Sequence, residues 1–285
     1  MVMDLVTRLR LEREGKVHGG IYDITQKRFA YNSNRIEGSS LTEEQTNFIY
    51  DTKSIYTLED QSVKLDDLLE TSNHFRCFDY ILDTHDTDLS ESYIRALHSQ
   101  LKRNTTSEGN PLTPVGGYKV LDNEVGRIST SQVFQVEEDM LSLLIGYNFS
   151  KEKNLESLTK FHVRFEQIHP FADGNGRIGR LLLFKECLKN NIMPFIVDDD
   201  HKRQYYVALE KAQVEGDSSL LVNYFESEQK FYKNYLKNKG FEGEIKIPEN
   251  KFEQRLAQAQ KEQQEHRKQS SSVKETPDHT KGRSL

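Results

Sequence analysis

Apolar residues recur at helical spacing along most of the first 238 positions of the chain. In the segment NLESLTKFHVRFEQIH, Leu155, Leu158 and Phe165 follow that spacing. The segment RIGRLLLFKECLKNN restarts the pattern at Ile178 and ends near Asn190. Similar periods predict helices at about 42–52, 62–83, 90–102, 132–147, 155–168, 201–214 and 218–237. The pattern predicts an all-α protein.

Strand signals are scarce. The segment GGYKVLDNEVG, residues 116–126, alternates weakly between apolar and polar positions around Asp122 and Asn123. Both residue types favour tight turns, so the segment predicts one hairpin that turns at this pair. A single small β element is therefore expected beside the helices.

Length, charge and apolar content exclude several classes of protein. A chain of 285 residues can bury a substantial core. Its net charge of −6 disfavours binding to nucleic acid or to an anionic membrane. The start of the chain lacks the apolar run of a signal peptide, and no stretch approaches the roughly 20 apolar residues of a membrane span. We therefore expect a cytoplasmic protein without a nucleic-acid or membrane partner.

Two further features concern the cysteines and the C-terminal end. Cys77 and Cys187 are too few for a disulfide framework and lack zinc-site spacing, which predicts two reduced, buried thiols. Residues 241–285 are rich in Gln, Lys, Glu and Ser with little to bury. This composition predicts a polar, disordered tail.

The segment HPFADGNGRIGR, residues 169–180, contains several polar and charged residues between two predicted helices. His169 precedes Pro170, which disfavours helix at the histidine, so the segment predicts a loop leading into the second helix. Gly174, Asn175 and Gly176 tolerate backbone conformations that bulkier residues avoid. Their N–H groups can therefore converge on one anion at the N-terminus of that helix.

Four charged or ionisable side chains accompany these backbone donors. Arg177 and Arg180 lie three residues apart on neighbouring helix faces, and guanidinium groups match phosphate oxygens. Asp173 supplies one carboxylate, which suits Mg²⁺ held by few protein ligands plus phosphate oxygens and water. His169, with an ordinary pKa of ~6.5, can accept a proton from an attacking hydroxyl. Each residue alone fits a turn, a cap or a solvated charge, but together they indicate transfer of part of a nucleotide to an alcohol.

Residues 169–180 match the signature H-P-F-x-[DE]-G-N-G-R-x-x-R at every defined position, and the chain therefore resembles the Fic family. The resemblance implies a Fic-type helical bundle, with its core domain at residues 61–240 and a hairpin, the flap, beside the active-site loop. It also implies transfer of AMP from ATP to a Ser, Thr or Tyr hydroxyl of a target protein, with release of pyrophosphate. The protein itself is one candidate target, and a homo-oligomer is compatible with the resemblance.

The resemblance also assigns roles to individual residues. His169 would be the base, Asp173 the Mg²⁺ ligand and Arg180 the partner of the γ-phosphate. The nest for the α- and β-phosphates would comprise Gly174, Asn175, Gly176 and Arg177.

Further nucleotide contacts are expected outside the signature. Tyr205 and Tyr206 match the family's adenine-side tyrosines, although core packing of both rings remains open. Val125 and Gly126, on the return strand of the predicted hairpin, are expected to touch the nucleotide, and a plain surface hairpin is the alternative.

The N-terminal region, residues 1–60, carries the stretch NSNRIEGSS. Ser33 and Glu37 lie four residues apart, and Gly38 is a plausible helix stop. The stretch resembles the inhibitory motif [ST]-x-x-x-E-[GN] of autoinhibited Fic proteins, which implies that Glu37 pairs with Arg180. A carboxylate at that position would exclude the γ-phosphate and leave ATP in a pose unfit for in-line attack. Ser33 would steady the helix or Glu37, or be a solvated surface serine.

Other functions stay open. A regulatory module that binds ATP with little turnover would need no base, so His169 favours an enzyme. A bifunctional enzyme that also removes AMP, phosphocholine transfer, and use of UTP or GTP are all compatible with the sequence. Gly176 argues against a kinase-like branch that carries a lysine at this position. The acids Asp198–Asp200 followed by His201 suggest either a helix cap or, less simply, a second metal site.

Overall fold

Helices carry nearly all the regular structure of the computed structural model, which describes residues 4–57, 62–126 and 128–238. In these ranges the helices are α1 (Leu5–Glu14), α2 (Ile21–Ile36), α3 (Glu43–Thr52), α4 (Leu65–Asp83), α5 (Glu91–Leu101), α6 (Val136–Phe149), α7 (Leu155–Ile168), α8 (Asn175–Lys189), α9 (Lys202–Glu215) and α10 (Ser219–Asn238). Two short antiparallel strands, β1 (Glu124–Val125) and β2 (Ile128–Ser129), form the only sheet of the described residues. The predicted all-α class with a small β element is confirmed. The predicted tail, residues 241–285, lies outside the described residues.

The hairpin forms later in the chain than predicted. Its strands flank Gly126, not Asp122 and Asn123, so the predicted turn position is wrong. Gly126 has a φ of 60°, a left-handed conformation that glycine adopts without steric cost. The Asp122 carboxylate instead accepts a hydrogen bond from Val133 N at 2.7 Å, and Asn123 Oδ1 accepts one from Thr130 Oγ1 at 2.7 Å. These two side chains tie the hairpin to the chain that follows it.

The central helix is α8, which is buried along almost its whole length. It packs against α7, α4, α2 and α5. Even Lys185 and Glu186 are buried, and they form an ion pair at 2.7 Å. Because α7 enters the 169–180 loop and α8 leaves it, the loop is held at the middle of the helical bundle.

An aromatic cluster fixes α2 against this centre. The ring of Phe29 lies 5.2 Å from that of Phe184 on α8 and 6.2 Å from that of Phe78 on α4, measured between centroids. Ser33 and Glu37 follow Phe29 at intervals of four residues, which keeps them near the same helix face. The packing of Phe29 therefore turns Ser33 and Glu37 toward α8.

Three smaller predictions also have outcomes. Cys77 and Cys187 are free and buried, as predicted. The Asp198 side chain accepts a hydrogen bond from Asp200 N at 3.1 Å, which supports the cap rather than a second metal site. No helix of the described ranges has the length and apolar character that crossing a bilayer requires.

Replacing Phe29 with alanine is expected to lower the free energy of unfolding by about 3–5 kcal/mol, because a fully buried ring would leave a cavity between α2 and α8. Urea denaturation monitored by circular dichroism measures the change. The matched control is Phe134→Ala, since the Phe134 side chain is 78% exposed and its loss should cost no more than about 0.5 kcal/mol. Equal effects of the two substitutions would contradict the packing described here.

Candidate active site

The loop begins at His169, which closes α7 in a left-handed conformation with φ 50° and ψ 61°. Few residues other than glycine adopt this region, and such conformations persist where the surroundings impose them. His169 N donates to Phe165 O at 2.9 Å, and the next carbonyl, Pro170 O, accepts from Lys119 N at 2.8 Å. The imidazole is thereby directed away from the helix and into a cleft.

Asn175 holds the loop closed with its side chain. Its Oδ1 accepts from Phe171 N at 2.9 Å, and its Nδ2 donates to Phe171 O at 2.8 Å. Phe171 is fully buried, so the clamp anchors the loop to the core. The side chain of Asn175 is occupied by these two bonds, and only its backbone N–H remains for a ligand.

His98 on α5 supports the same loop and was not predicted. Its ring stacks on Phe171 with centroids 3.9 Å apart, and its Nδ1 accepts from Gly116 N at 2.9 Å. Nε2 must then carry the hydrogen, and it donates to Asp173 O at 3.1 Å. Burial lowers the pKa of His98 to about 4, so the ring stays neutral and keeps both bonds. In the sequence this histidine is indistinguishable from another buried position of α5.

The N-terminus of α8 presents backbone donors that have no acceptor among the residues that the structure describes. Gly174 adopts φ 86°, and the first intrahelical bond runs from Ile178 N to Gly174 O at 3.0 Å. The N–H groups of Asn175, Gly176 and Arg177 precede that bond and point out of the helix end, where anions bind. An added Cβ at Gly176 would collide with Glu37 Oε1. The carboxylate of Glu37 therefore already lies against this helix end.

Arg177 and Asp173 belong to a network of four charges. Arg177 Nη2 donates to Asp173 Oδ1 at 3.2 Å, and Lys102 Nζ donates to Asp173 Oδ2 at 2.5 Å. Glu70 on α4 accepts from both Arg177 and Lys102. Burial alone would raise the pKa of Asp173, but the charges of Arg177 and Lys102 outweigh it and lower that pKa to about 2. Glu70 and Lys102 were not predicted, because nothing in their local spacing marks them.

Arg180 is enclosed by α2. Its Nη2 donates to Glu37 Oε1 at 2.7 Å and to Ser33 O at 2.8 Å, and its Nε donates to Ser33 Oγ at 3.1 Å. The Arg180 side chain is only 2% exposed, whereas that of Glu37 is 27% exposed and faces the cleft. Ser33 is fully buried, so the alternative of a solvated surface serine is excluded.

The two tyrosines of α9 occupy different environments. Tyr205 is buried, and its hydroxyl lies 2.7 Å from His162 Nε2. Tyr206 is 44% exposed, and its hydroxyl donates to Ile36 O at 3.3 Å. The geometry therefore makes Tyr205 part of the core and leaves Tyr206 with a face toward the cleft.

These elements surround one cleft of about 640 Å³, a size typical of small-molecule sites. Its lining comprises Glu37, Gly126, Ile128, Glu166, His169, Gly176, Arg180, Tyr205, Tyr206, Leu209, Glu210 and Gln213. Seven of the predicted site residues are among them. Five predicted residues are not part of the lining, namely Asp173, Gly174, Asn175, Arg177 and Ser33. Asn175 and Arg177 flank Gly176 in the chain, and Ser33 contacts Arg180. The side chain of Val125 lies outside what the structure describes.

His169 is mostly buried in this cleft, and its environment keeps it neutral. Burial, followed by the positive charge of Lys119, lowers the pKa of His169 to about 4. At neutral pH the ring can therefore accept a proton. The Lys119 ammonium is itself held by Asn123 Oδ1 and Thr130 Oγ1, each at 2.7 Å.

Residues 88–186 match the Fic/DOC family. Among curated proteins, the chain is 25% identical over 197 residues to the protein adenylyltransferase Fic of Nematostella vectensis, which covers 64% of this chain and 42% of that protein. It is 29% identical over 114 residues to the protein adenylyltransferase fic-1 of Caenorhabditis elegans, which covers 35% of this chain and 22% of that protein. The chain thus spans less than half the length of these curated relatives.

Solved structures share the fold. A Fic domain containing signaling protein from Bacteroides thetaiotaomicron superposes with a TM-score of 0.62 and 25% identity, over 81% of this chain and 90% of that chain. Residues 134–508 of Fic-1 from C. elegans superpose with a TM-score of 0.63 and 21% identity, over 82% of this chain and 65% of that chain. The architecture of the described residues is therefore that of the Fic-domain proteins.

A buried histidine next to this site predicts an acid-sensitive fold. Burial, followed by the charge of Arg180, lowers the pKa of His74 to about 3, and neither ring nitrogen has a hydrogen-bond partner among the described residues. Between pH 6.5 and about 3 the unfolded chain binds a proton here that the folded protein does not. The free energy of unfolding should therefore fall as pH falls through this range, by up to ~1.4 kcal/mol per pH unit for this one group.

Urea denaturation at a series of pH values measures this dependence in the wild type and in His74→Leu. Between pH 6.5 and 4, the free energy of unfolding should depend less steeply on pH in His74→Leu, and the difference should equal the contribution of one histidine. Identical slopes in the two proteins would show that the ring is not kept neutral by burial.

Proposed function

From the match of residues 88–186 to the Fic/DOC family, we propose that the chain is a nucleotidyltransferase that transfers AMP from ATP to a protein hydroxyl. The curated relatives named protein adenylyltransferase support this reaction. The observation that carries the proposal is the placement of His169, Arg180 and the open N-terminus of α8 around one cleft. The acceptor is a Ser, Thr or Tyr side chain of a partner protein or of the chain itself.

The reaction uses His169 as the general base. Its Nε2 takes the proton of the acceptor hydroxyl, while the hydroxyl oxygen attacks the α-phosphorus of ATP. The bond from the α-phosphorus to the oxygen that bridges the β-phosphorus breaks, and pyrophosphate leaves with that electron pair. The neutral imidazole, with its lowered pKa, is in the correct state for this step at neutral pH.

Fixed hydrogen-bond donors are available for the negatively charged phosphates of ATP. The N–H groups of Asn175, Gly176 and Arg177 at the end of α8 suit the α- and β-phosphates, and Arg180 suits the γ-phosphate. Tyr206, half-exposed in the cleft, and Gly126 of the hairpin are placed to flank the base. Tyr205, buried against His162, supports Tyr206 from beneath.

Asp173 fits a role as the Mg²⁺ ligand. Its carboxylate is half-exposed and, with a pKa of about 2, ionised at neutral pH. A single carboxylate next to a phosphate site is the common arrangement for Mg²⁺, which keeps several waters. Bound by Asp173 and phosphate oxygens, the ion would neutralise charge on the leaving pyrophosphate.

Glu37 acts as a brake in this proposal. Its carboxylate holds the guanidinium of Arg180 and lies against Gly176 at the helix end. A γ-phosphate brought to Arg180 would meet a negative charge at contact distance, so ATP would be displaced from an in-line pose. Ser33 keeps Arg180 in place through two further hydrogen bonds.

A second candidate activity is removal of AMP from a modified protein. The partial exposure of the Glu37 side chain toward the cleft favours it, because a carboxylate there can orient an attacking water. Such an enzyme would use the same His169 and the same phosphate site.

Substituting Glu37 with glycine is expected to raise incorporation of label from α-labelled ATP at least tenfold, a gain of about 1.4 kcal/mol, because Arg180 becomes available to the γ-phosphate. Adding His169→Ala to this variant should reduce the rate roughly 10²- to 10⁴-fold, the contribution of a general base. Mass spectrometry of the intact protein with ATP and Mg²⁺ identifies the AMP adduct.

The control for Glu37→Gly is Glu152→Gly, a substitution at an exposed glutamate in the loop before α7. It should label like the wild type. Equal labelling by the wild type and Glu37→Gly would contradict the brake, and ATP binding without any adduct would favour a regulatory module.

Asp173→Asn, made in the Glu37→Gly protein, is expected to abolish the effect of metal on nucleotide binding. In the parent, removing Mg²⁺ with EDTA should weaken ATP binding about tenfold or more, as measured by isothermal titration calorimetry. The asparagine variant should bind equally with and without Mg²⁺, whereas the exposed control Asp86→Asn should behave like the parent. An undiminished metal effect in Asp173→Asn would rule out this ligand.

A further inference from the structure

The lining of the cleft also includes the carboxyl group of Glu166, which the chemistry above does not use. Glu166 lies on α7, three residues before His169, and is 8% exposed. Its Oε1 has no hydrogen-bond partner among the described residues. A buried carboxyl without a partner is costly and calls for a functional explanation.

A ring nitrogen of His169 near this carboxyl also lacks a hydrogen-bond partner. His169 Nδ1 is buried without a hydrogen-bond partner among the residues that the structure describes, and it lies 3.9 Å from Glu166 Oε2. Hydrogen bonds between catalytic groups are often long in ligand-free proteins and tighten when the substrate binds. A small rotation of either side chain would bring these two atoms into contact.

The backbone of α8 leaves space for this carboxyl. A Cβ added at Gly179 would lie 2.6 Å from Glu166 Oε1, which is too close for two non-bonded atoms. The glycine at this position thus lets the carboxyl pack between α7 and α8. Its φ is ordinary, so the close approach, and not a special backbone conformation, is what calls for glycine.

Charged groups from several elements face the pair. Lys119 lies before the hairpin, Arg180 on α8 and Glu37 at the end of α2, and the neutral groups His162 and Tyr205 complete the surroundings. Burial and then the charge of Glu37 raise the pKa of Glu166 to about 8, against the opposing charge of Arg180. Loss of Glu37 from this position would therefore favour the ionised carboxyl. Asp173 also acts weakly on His169.

We propose that Glu166 is a positioning residue for His169: its carboxylate accepts the Nδ1 hydrogen and directs the unprotonated Nε2 toward the acceptor hydroxyl. The inference rests on the proposed AMP transfer by His169. When Nε2 takes the acceptor proton, the imidazolium carries hydrogens on both nitrogens, and the carboxylate at Nδ1 stabilises it. This compensates for burial and for the nearby charge of Lys119, which both lower the pKa of His169 and make it a weak base.

The test compares Glu166→Gln and Glu166→Ala in the Glu37→Gly protein, using kcat/KM for AMP transfer between pH 5 and 9. The parent should lose activity at acid pH as the Glu166–His169 pair takes up a proton. In Glu166→Gln that acid limb should move to lower pH by about one unit or more, and the plateau should fall roughly tenfold, because an amide orients the ring without stabilising its positive charge. Glu166→Ala should lose more, and KM for ATP should stay within about twofold in both variants.

Two controls separate the explanations. Glu156→Gln removes an exposed carboxylate from the same helix and should leave the profile unchanged. Gly179→Ala would push against both Glu166 Oε1 and the His162 ring, so it should displace the Glu166 carboxyl without removing it and lower the plateau in the same direction as Glu166→Gln. Both proteins should retain the circular dichroism spectrum of the parent.

Each failure has a distinct meaning. A Glu166→Gln profile identical to that of the parent would overturn the inference and would make the Glu166 backbone carbonyl, which also favours the protonated ring, the partner of Nδ1. A Glu37→Gly parent that forms no adduct would instead refute the proposed function.

Discussion

The contact between Arg180 and Glu37 is the interaction on which the arrangement of the cleft depends. A guanidinium that is 2% exposed must have an anionic partner, because an unpaired charge in the interior is strongly destabilising. Glu37 meets that requirement and joins the end of α2 to α8. A phosphate at the same place would meet it equally well. The same desolvated arginine therefore underlies both the proposed brake and the proposed nucleotide site.

The loop between α7 and α8 keeps its shape although it leaves backbone donors free. An anion site needs backbone donors that have no internal partner, yet a loop without internal bonds would not hold its shape. Here the side chains of Asn175 and His98 fix the loop through Phe171 and Asp173, while the N–H groups at the start of α8 stay available. Because the side chains of Asn175 and His98 are neutral, these bonds fix the loop without adding charge to the site.

Burial influences the protonation states of the site residues as much as ion pairing does. His98 and His169 are neutral because they are buried, and burial, followed by the charge of Glu37, also raises the pKa of Glu166. Asp173 is the exception, because two cations outweigh burial and keep it ionised. The proposed base and the proposed metal ligand thus differ in charge state through their environments, as the proposed AMP transfer requires.

The sequence by itself predicted helices α3 to α10 and the loop at residues 169–180, because these depend on neighbours within about one helical turn, but it gave no bounds for α1 and α2. It placed the hairpin turn wrongly, since Asp122 and Asn123 are engaged by residues further along the chain. The pairing of Glu37 with Arg180 followed from a motif resemblance, not from spacing. Only the tertiary structure brought Glu70, Lys102 and His98 to the loop and turned Glu166 toward His169. These contacts depend on how α4, α5 and α7 pack around α8, and that packing leaves no mark in the local order of residues.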